Sequence, residues 1–140
     1  MSSSRIPRSF AKLAKERWSP QRIDKVTSGR KYALLPDKQG APILHCMGLL
    51  NDDASMSANS LRKYKQINHL ANLVEPAIKP LLKEHKTVRV LDIGAGSSFL
   101  TVLLAHCFKS IWNHPAKIIG IDQNAALVES SRRKAEALGL

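Results

Sequence analysis

Cysteine, aromatic side chains and acids are all scarce in this chain of 140 residues. The two cysteines, Cys46 and Cys107, lie far apart and in no metal-like spacing. That excludes a disulfide scaffold and leaves reduced thiols filling a core. Among the histidines His69, His85, His106 and His114, none pairs at i, i+4 with an acid between, so no zinc set is expected. His106, in an apolar stretch, reads as a core histidine. Aromatic residues make up 5% of the chain, which makes a base-stacking surface a weak reading. No G-x-S-x-G elbow is present to support hydrolase chemistry. The longest apolar run, Phe99 to Phe108, is about half the length a membrane span needs. No secretory leader is visible.

Acids number 11 against 22 Lys and Arg. Residues 1–38 alone carry 10 basic and 3 acidic groups, a net of +7. A block of this sign attracts polyanions, RNA among them, although a solvated basic tail has the same composition. Trp18, Tyr32 and Tyr64 are interleaved with the cations and are candidates for stacking on bases or for burial. Residues 1–15 contain no acid, and Ile6, Phe10 and Leu13 fall on one helical face. That pattern fits an organellar transit peptide as well as a cytoplasmic basic arm.

Three stretches are expected. Residues 1–42 read as a loosely structured basic arm, with turn signals at Ser19 to Arg22, Ser28 to Arg30 and Leu35 to Pro42. Residues 43–86 read as a helical extension. Ile43 to Met47 suits a strand or a buried turn, and Asn51 to Ser55 a break. Leu61, Ile67, Leu70, Ala71, Val74, Ile78 and Leu81 then recur at helical spacing. Pro76 and Pro80 are expected to bend or split that helix. Residues 87–140 read strand, helix, strand, helix. Val88 to Ile93 and Lys117 to Asp122 are apolar enough for strands buried on both faces of a parallel sheet. A buried helix opens at Ser97 or Ser98 and ends near Lys109, and Asn124 caps another. This is the opening of an α/β, Rossmann-like doubly wound parallel sheet, incomplete at its first two βα units.

Ligands of such sheets sit at the carboxyl ends of the strands. Asp92 is near the end of the first strand, and Gly94 and Gly96 make the turn that follows. Glycine admits positive φ and lets a ligand approach the main chain. The amides opening the next helix are expected to face a carboxylate or phosphate. Asp122 ends the second strand, where a carboxylate can accept hydrogen bonds from both hydroxyls of an unphosphorylated ribose. NAD and S-adenosylmethionine both satisfy that geometry. The loop separates them, because Asp92 would repel a pyrophosphate but welcomes a sulfonium and an ammonium. Phe99 also occupies the place of the third dinucleotide glycine. The plain alternatives are a tight turn for the glycines, a helix N-terminal acid for Asp92 and a strand-end turn residue for Asp122.

VLDIGAGSSFLT, Val90 to Thr101, resembles motif I of the class I S-adenosylmethionine-dependent methyltransferases. Ile118 to Leu140 resembles the second strand and helix of the same fold. LRKYKQINHLANLV, Leu61 to Val74, is similar to the K-x-x-Q-I-N-H-like helix that precedes the loop in one subgroup. Ser97 stands where lysine is common there, and Ser98 where many class I enzymes have a third glycine. The resemblance implies that Gly94, Ala95 and Gly96 line the cofactor's methionine end. It implies that Asp92 holds the amino group, Asp122 the ribose hydroxyls, and that Gln123 lies beside the adenine. It names no catalytic residue. A full sheet of this kind has about seven strands, so the acceptor-side half is expected beyond Leu140. Two parallel strands alone would leave an apolar face uncovered, and a marginal or aggregating chain is expected. The competing readings are a non-catalytic nucleic-acid-binding protein on a degenerate methyltransferase fold and an NAD-binding oxidoreductase.

Overall fold

Phe10, Ala14 and Trp18 recur at intervals of four, which sets them on one helical face. The computed structural model describes residues 8–37 and 39–140, and all three are buried in it. They lie along and just past α1, Arg8–Arg17. Leu13 faces solvent, so the apolar stripe differs from the expected one, and Ile6 lies outside the described residues. The expected loose arm is therefore corrected over residues 8–37. Ser19 and Pro20, read from sequence as a turn, start a helix instead. Ser19 caps α2, Pro20–Thr27, by accepting the Arg22 amide, and Pro20 needs no intrahelical donor at that position.

The chain divides into two units, one up to Gln66 and the other Ile67–Leu140. In the first, the Trp18 indole donates to the Ala54 carbonyl at 2.7 Å. Arg17 reaches the same loop, donating to the Asp53 carbonyl at 2.9 Å and to its carboxylate at 3.3 Å. The Tyr64 hydroxyl donates to the Leu34 carbonyl at 2.8 Å, and Leu34 and Tyr64 are fully buried. Ile43 lies in α3, Ala41–Cys46, rather than in a strand. Pro42 in its first turn favours that start, and Leu44 supplies the buried contact.

Helix α4, Ala58–Glu84, runs through both Pro76 and Pro80 without a break. A proline in a helix interior brings no backbone donor and crowds the preceding turn, which disfavours the helix. The two rings are four apart and both exposed, so neither intrudes on the packed face of the helix.

The second unit centres on β1, Val88–Ile93, and β2, Ala116–Ile121, paired in parallel with Val88 opposite Ala116 and Ile93 opposite Ile121. Between them run α5, Phe99–His106, and a π-helical turn, Cys107–Ile111. Helix α6, Ala125–Leu138, follows β2. Ile78, Val88, Leu104 and Phe108 form the core, packed by Val90, Leu100, Ala116 and Ile118. Trp112 meets the Phe108 ring edge-on at 4.8 Å. Burial drives the Cys107 thiol up to about 11, with the Glu75 charge adding to it, so this cysteine is an inert core filler.

The strands are not buried on both faces, as their composition led us to expect. Val88 and Val90 face the helices, while Leu91, Ile93, Ile119 and Ile121 are 57%, 76%, 46% and 49% exposed. These four form two cross-strand pairs on the open face. We expect Ile93→Thr with Ile121→Thr to change stability by less than about 0.5 kcal/mol. The pair should also cut dye binding to apolar surface and slow aggregation. Leu104→Ala, by contrast, should cost about 2–5 kcal/mol in a denaturant titration.

Candidate functional site

The site is built where β1 and β2 both end. Gly94 and Gly96 adopt φ of +72° and +58°, in the left-handed region that favours glycine. A Cβ built on either would meet nothing within 4 Å, so the backbone is open above both. The Phe99 ring does not cover them. It lies instead near α6, with the Lys134 ammonium 5.5 Å from its centre.

The amides of the glycine loop are satisfied within the protein, and so is that of Ser98 at the helix opening. Gly94 and Ala95 both donate to the Ile121 carbonyl, at 2.7 and 3.0 Å, and Ser98 donates to the Ala95 carbonyl. The Gly96 amide donates to Asp122 Oδ2 at 2.9 Å. The loop is thereby tied to the end of β2. Ser98 enters α5 at φ +60° and makes no side-chain cap.

Asp122 also accepts the Asn124 amide through Oδ1 at 2.8 Å. These two backbone bonds hold its carboxyl below the usual range, Asn124 having the larger effect. Each oxygen keeps a second lone pair, so two further donors can be accepted. Asn124 in turn caps α6 by accepting the Leu127 amide. Asp92 is half-buried and accepts a hydrogen bond from the Thr101 hydroxyl at 2.5 Å.

Ala95, Gly96, Thr101, Gly120 and Asp122 share a cavity of about 920 Å³ that continues between β2, α5 and α6. Its size suits a nucleoside-sized ligand. Asp92, Gly94 and Gln123 are not in its wall. Gln123 is exposed beside Asp122. Thr101 and Gly120 escaped the sequence reading as site residues. Glycine inside an apolar strand was the available signal, since it marks a close approach. A Cβ at Gly120 would come within 3.2 Å of the Ala95 Cβ. Among the described residues no three His, Cys, Asp or Glu side chains gather to hold a metal. His106 is half-buried rather than in the core, and that partial burial lowers its pKa.

A group whose pKa is depressed in the folded state adds stability above its ordinary value, near 3.8 for Asp122. That stability is lost as pH falls through the lower folded value. We expect the stability gap between the protein and its Asp122→Ala variant to be constant at neutral pH and to close below about pH 3.8. At neutral pH the same variant should exchange its Gly96 amide proton faster, read by hydrogen-exchange mass spectrometry or NMR.

A family model described as a methyltransferase domain matches residues 62–140. Searches of curated proteins and of solved structures return no match. The matched segment spans more than half of the chain and contains the glycine loop, both carboxylates and β2, and the chain therefore belongs to this methyltransferase-domain family.

Proposed function

We propose that the protein is an S-adenosylmethionine-dependent methyltransferase, with the cofactor seated over Gly94 to Gly96 and RNA as the substrate class. The observation that carries the cofactor is the pairing of open backbone at two positive-φ glycines with carboxylates on both sides of it. Two anionic groups suit a ligand with a sulfonium and an ammonium, and repel a pyrophosphate. When bound, S-adenosylmethionine supplies a methyl group on positive sulfur, and transfer needs orientation more than a strong acid.

The chain's own residues bind and orient. Asp92 would receive the amino group of the methionine end, and Ala95 would lie against that end. Asp122, already ionised and fixed by two amides, would accept the ribose hydroxyls. Gln123 would lie beside the adenine. Neither cysteine is in a disulfide, and among the described residues no helix is long and apolar enough to cross a membrane. A reducing, cytoplasmic setting suits both observations.

Calorimetric titration of the chain with S-adenosylhomocysteine tests the cofactor. We expect saturable binding, weakened by more than about tenfold in Asp122→Ala, and none with NAD. Saturable NAD binding without heat from S-adenosylhomocysteine would overturn the reading.

The RNA part rests on charge. Lys12, Lys15, Arg22, Lys25, Arg30 and Lys31 are exposed. Trp18 and Tyr64 are buried, so base stacking by those two rings plays no part. The Arg22 guanidinium instead lies over the Trp18 ring at 4.4 Å, which fixes a cation at the surface. Because Phe10, Ala14 and Trp18 are core, point changes are a cleaner test than deletion of residues 1–38. Exchanging Lys12, Lys15 and Lys25 for Gln should flatten the log–log salt dependence of single-stranded RNA binding by up to about 2. An unchanged slope would remove the basic region from the substrate argument.

A further inference from the structure

Asp92 stands opposite Gly120 in the strand register. It shares the pleat of Val88 and Val90, the side that the helices cover. Thr101 is the third residue of α5, and its hydroxyl donates to Asp92 Oδ2. The contact is short because the acceptor is a carboxylate. A Cβ at Gly120 would lie 3.7 Å from the Thr101 hydroxyl oxygen and 3.8 Å from its methyl. β1, β2 and α5 thus converge on one bond, and the missing side chain at position 120 leaves room for it.

We propose that Thr101 is a positioning residue: it holds one oxygen of Asp92 so that the other is presented to the amino group of the cofactor's methionine end. The inference rests on the S-adenosylmethionine reading above. A carboxylate at a strand end has two side-chain torsions to lose when a ligand arrives. Thr101 removes that freedom beforehand and uses only one acceptor atom. Valine at this position keeps the shape and the methyl group and deletes the hydroxyl. Serine keeps the hydroxyl and deletes the methyl.

The test is a comparison of two ligands on the same 140-residue chain. S-adenosylhomocysteine carries the amino-acid end, and 5′-methylthioadenosine lacks it. Thr101→Val should weaken S-adenosylhomocysteine about tenfold and 5′-methylthioadenosine by less than about twofold. Thr101→Ser should restore S-adenosylhomocysteine to within about twofold of the parent. The ratio of the two affinities is internal to each variant, so Thr101→Ala reads the same split where valine is poorly tolerated. Equal weakening of both ligands would assign Thr101 a packing role and overturn the proposal, as would a valine variant that binds like the parent. A parent chain that takes up 5′-methylthioadenosine and not S-adenosylhomocysteine would leave the nucleoside site intact and refute the role given to Asp92. A parent that binds neither would refute the cofactor reading itself, and this proposal with it.

Discussion

Two consecutive amides, those of Gly94 and Ala95, converge on the single carbonyl of Ile121, and the next amide reaches the side chain of Asp122. A chain can direct three successive donors to one side only if it turns sharply, and the positive φ of Gly94 and Gly96 supplies the turn. This constraint ties the end of β1 to the end of β2. It places Ala95 over Gly120 and fixes where α5 begins, and from there it fixes which residue of α5 meets Asp92. The open backbone above the glycines is the outer side of the same turn.

Much of this was legible in the residues. Both strands, the helix between them and the Asn124 cap were readable because β-branched runs, glycine pairs and capping side chains are local signals. Asp92, Gly94, Gly96 and Asp122 stood out for the same reason, each at the end of an apolar run. What the loop amides do was not legible. Their direction depends on the register of β1 against β2, and that is a tertiary fact. The same holds for Thr101, whose partner lies nine residues away across a turn.

The misread elements share another cause. Ser19 and Pro20 suit both a turn and a helix start, and only the buried stripe of Phe10, Ala14 and Trp18 decides between them. Pro76 and Pro80 argue locally against one helix. Yet Val74, Ile78, Leu81 and Leu82 all pack onto the sheet core. Full burial of such a side chain, as at Ile78, contributes roughly 1.5–3 kcal/mol, and the partly buried Val74, Leu81 and Leu82 each contribute a share of that, against the roughly 3 kcal/mol a proline costs in a helix interior. Several such contacts on one face outweigh two prolines that point to water.

The exposed face of the sheet shows the reverse case, in which composition suggests more burial than occurs. Leu91, Ile93, Ile119 and Ile121 have the residue types of a two-sided strand, yet three of them are only about half covered and Ile93 is covered still less. Covering them fully would be worth on the order of 3–6 kcal/mol, half of the usual value per side chain. That is comparable with the net stability of many small domains. The glycine loop is insulated from this deficit, because its ties are backbone and carboxylate hydrogen bonds at the strand ends rather than contacts on the open face. Its geometry therefore depends on the pairing of β1 with β2 and on the helices packed against Val88 and Val90, and a soluble variant altered at Ile93 and Ile121 keeps every group that shapes the site.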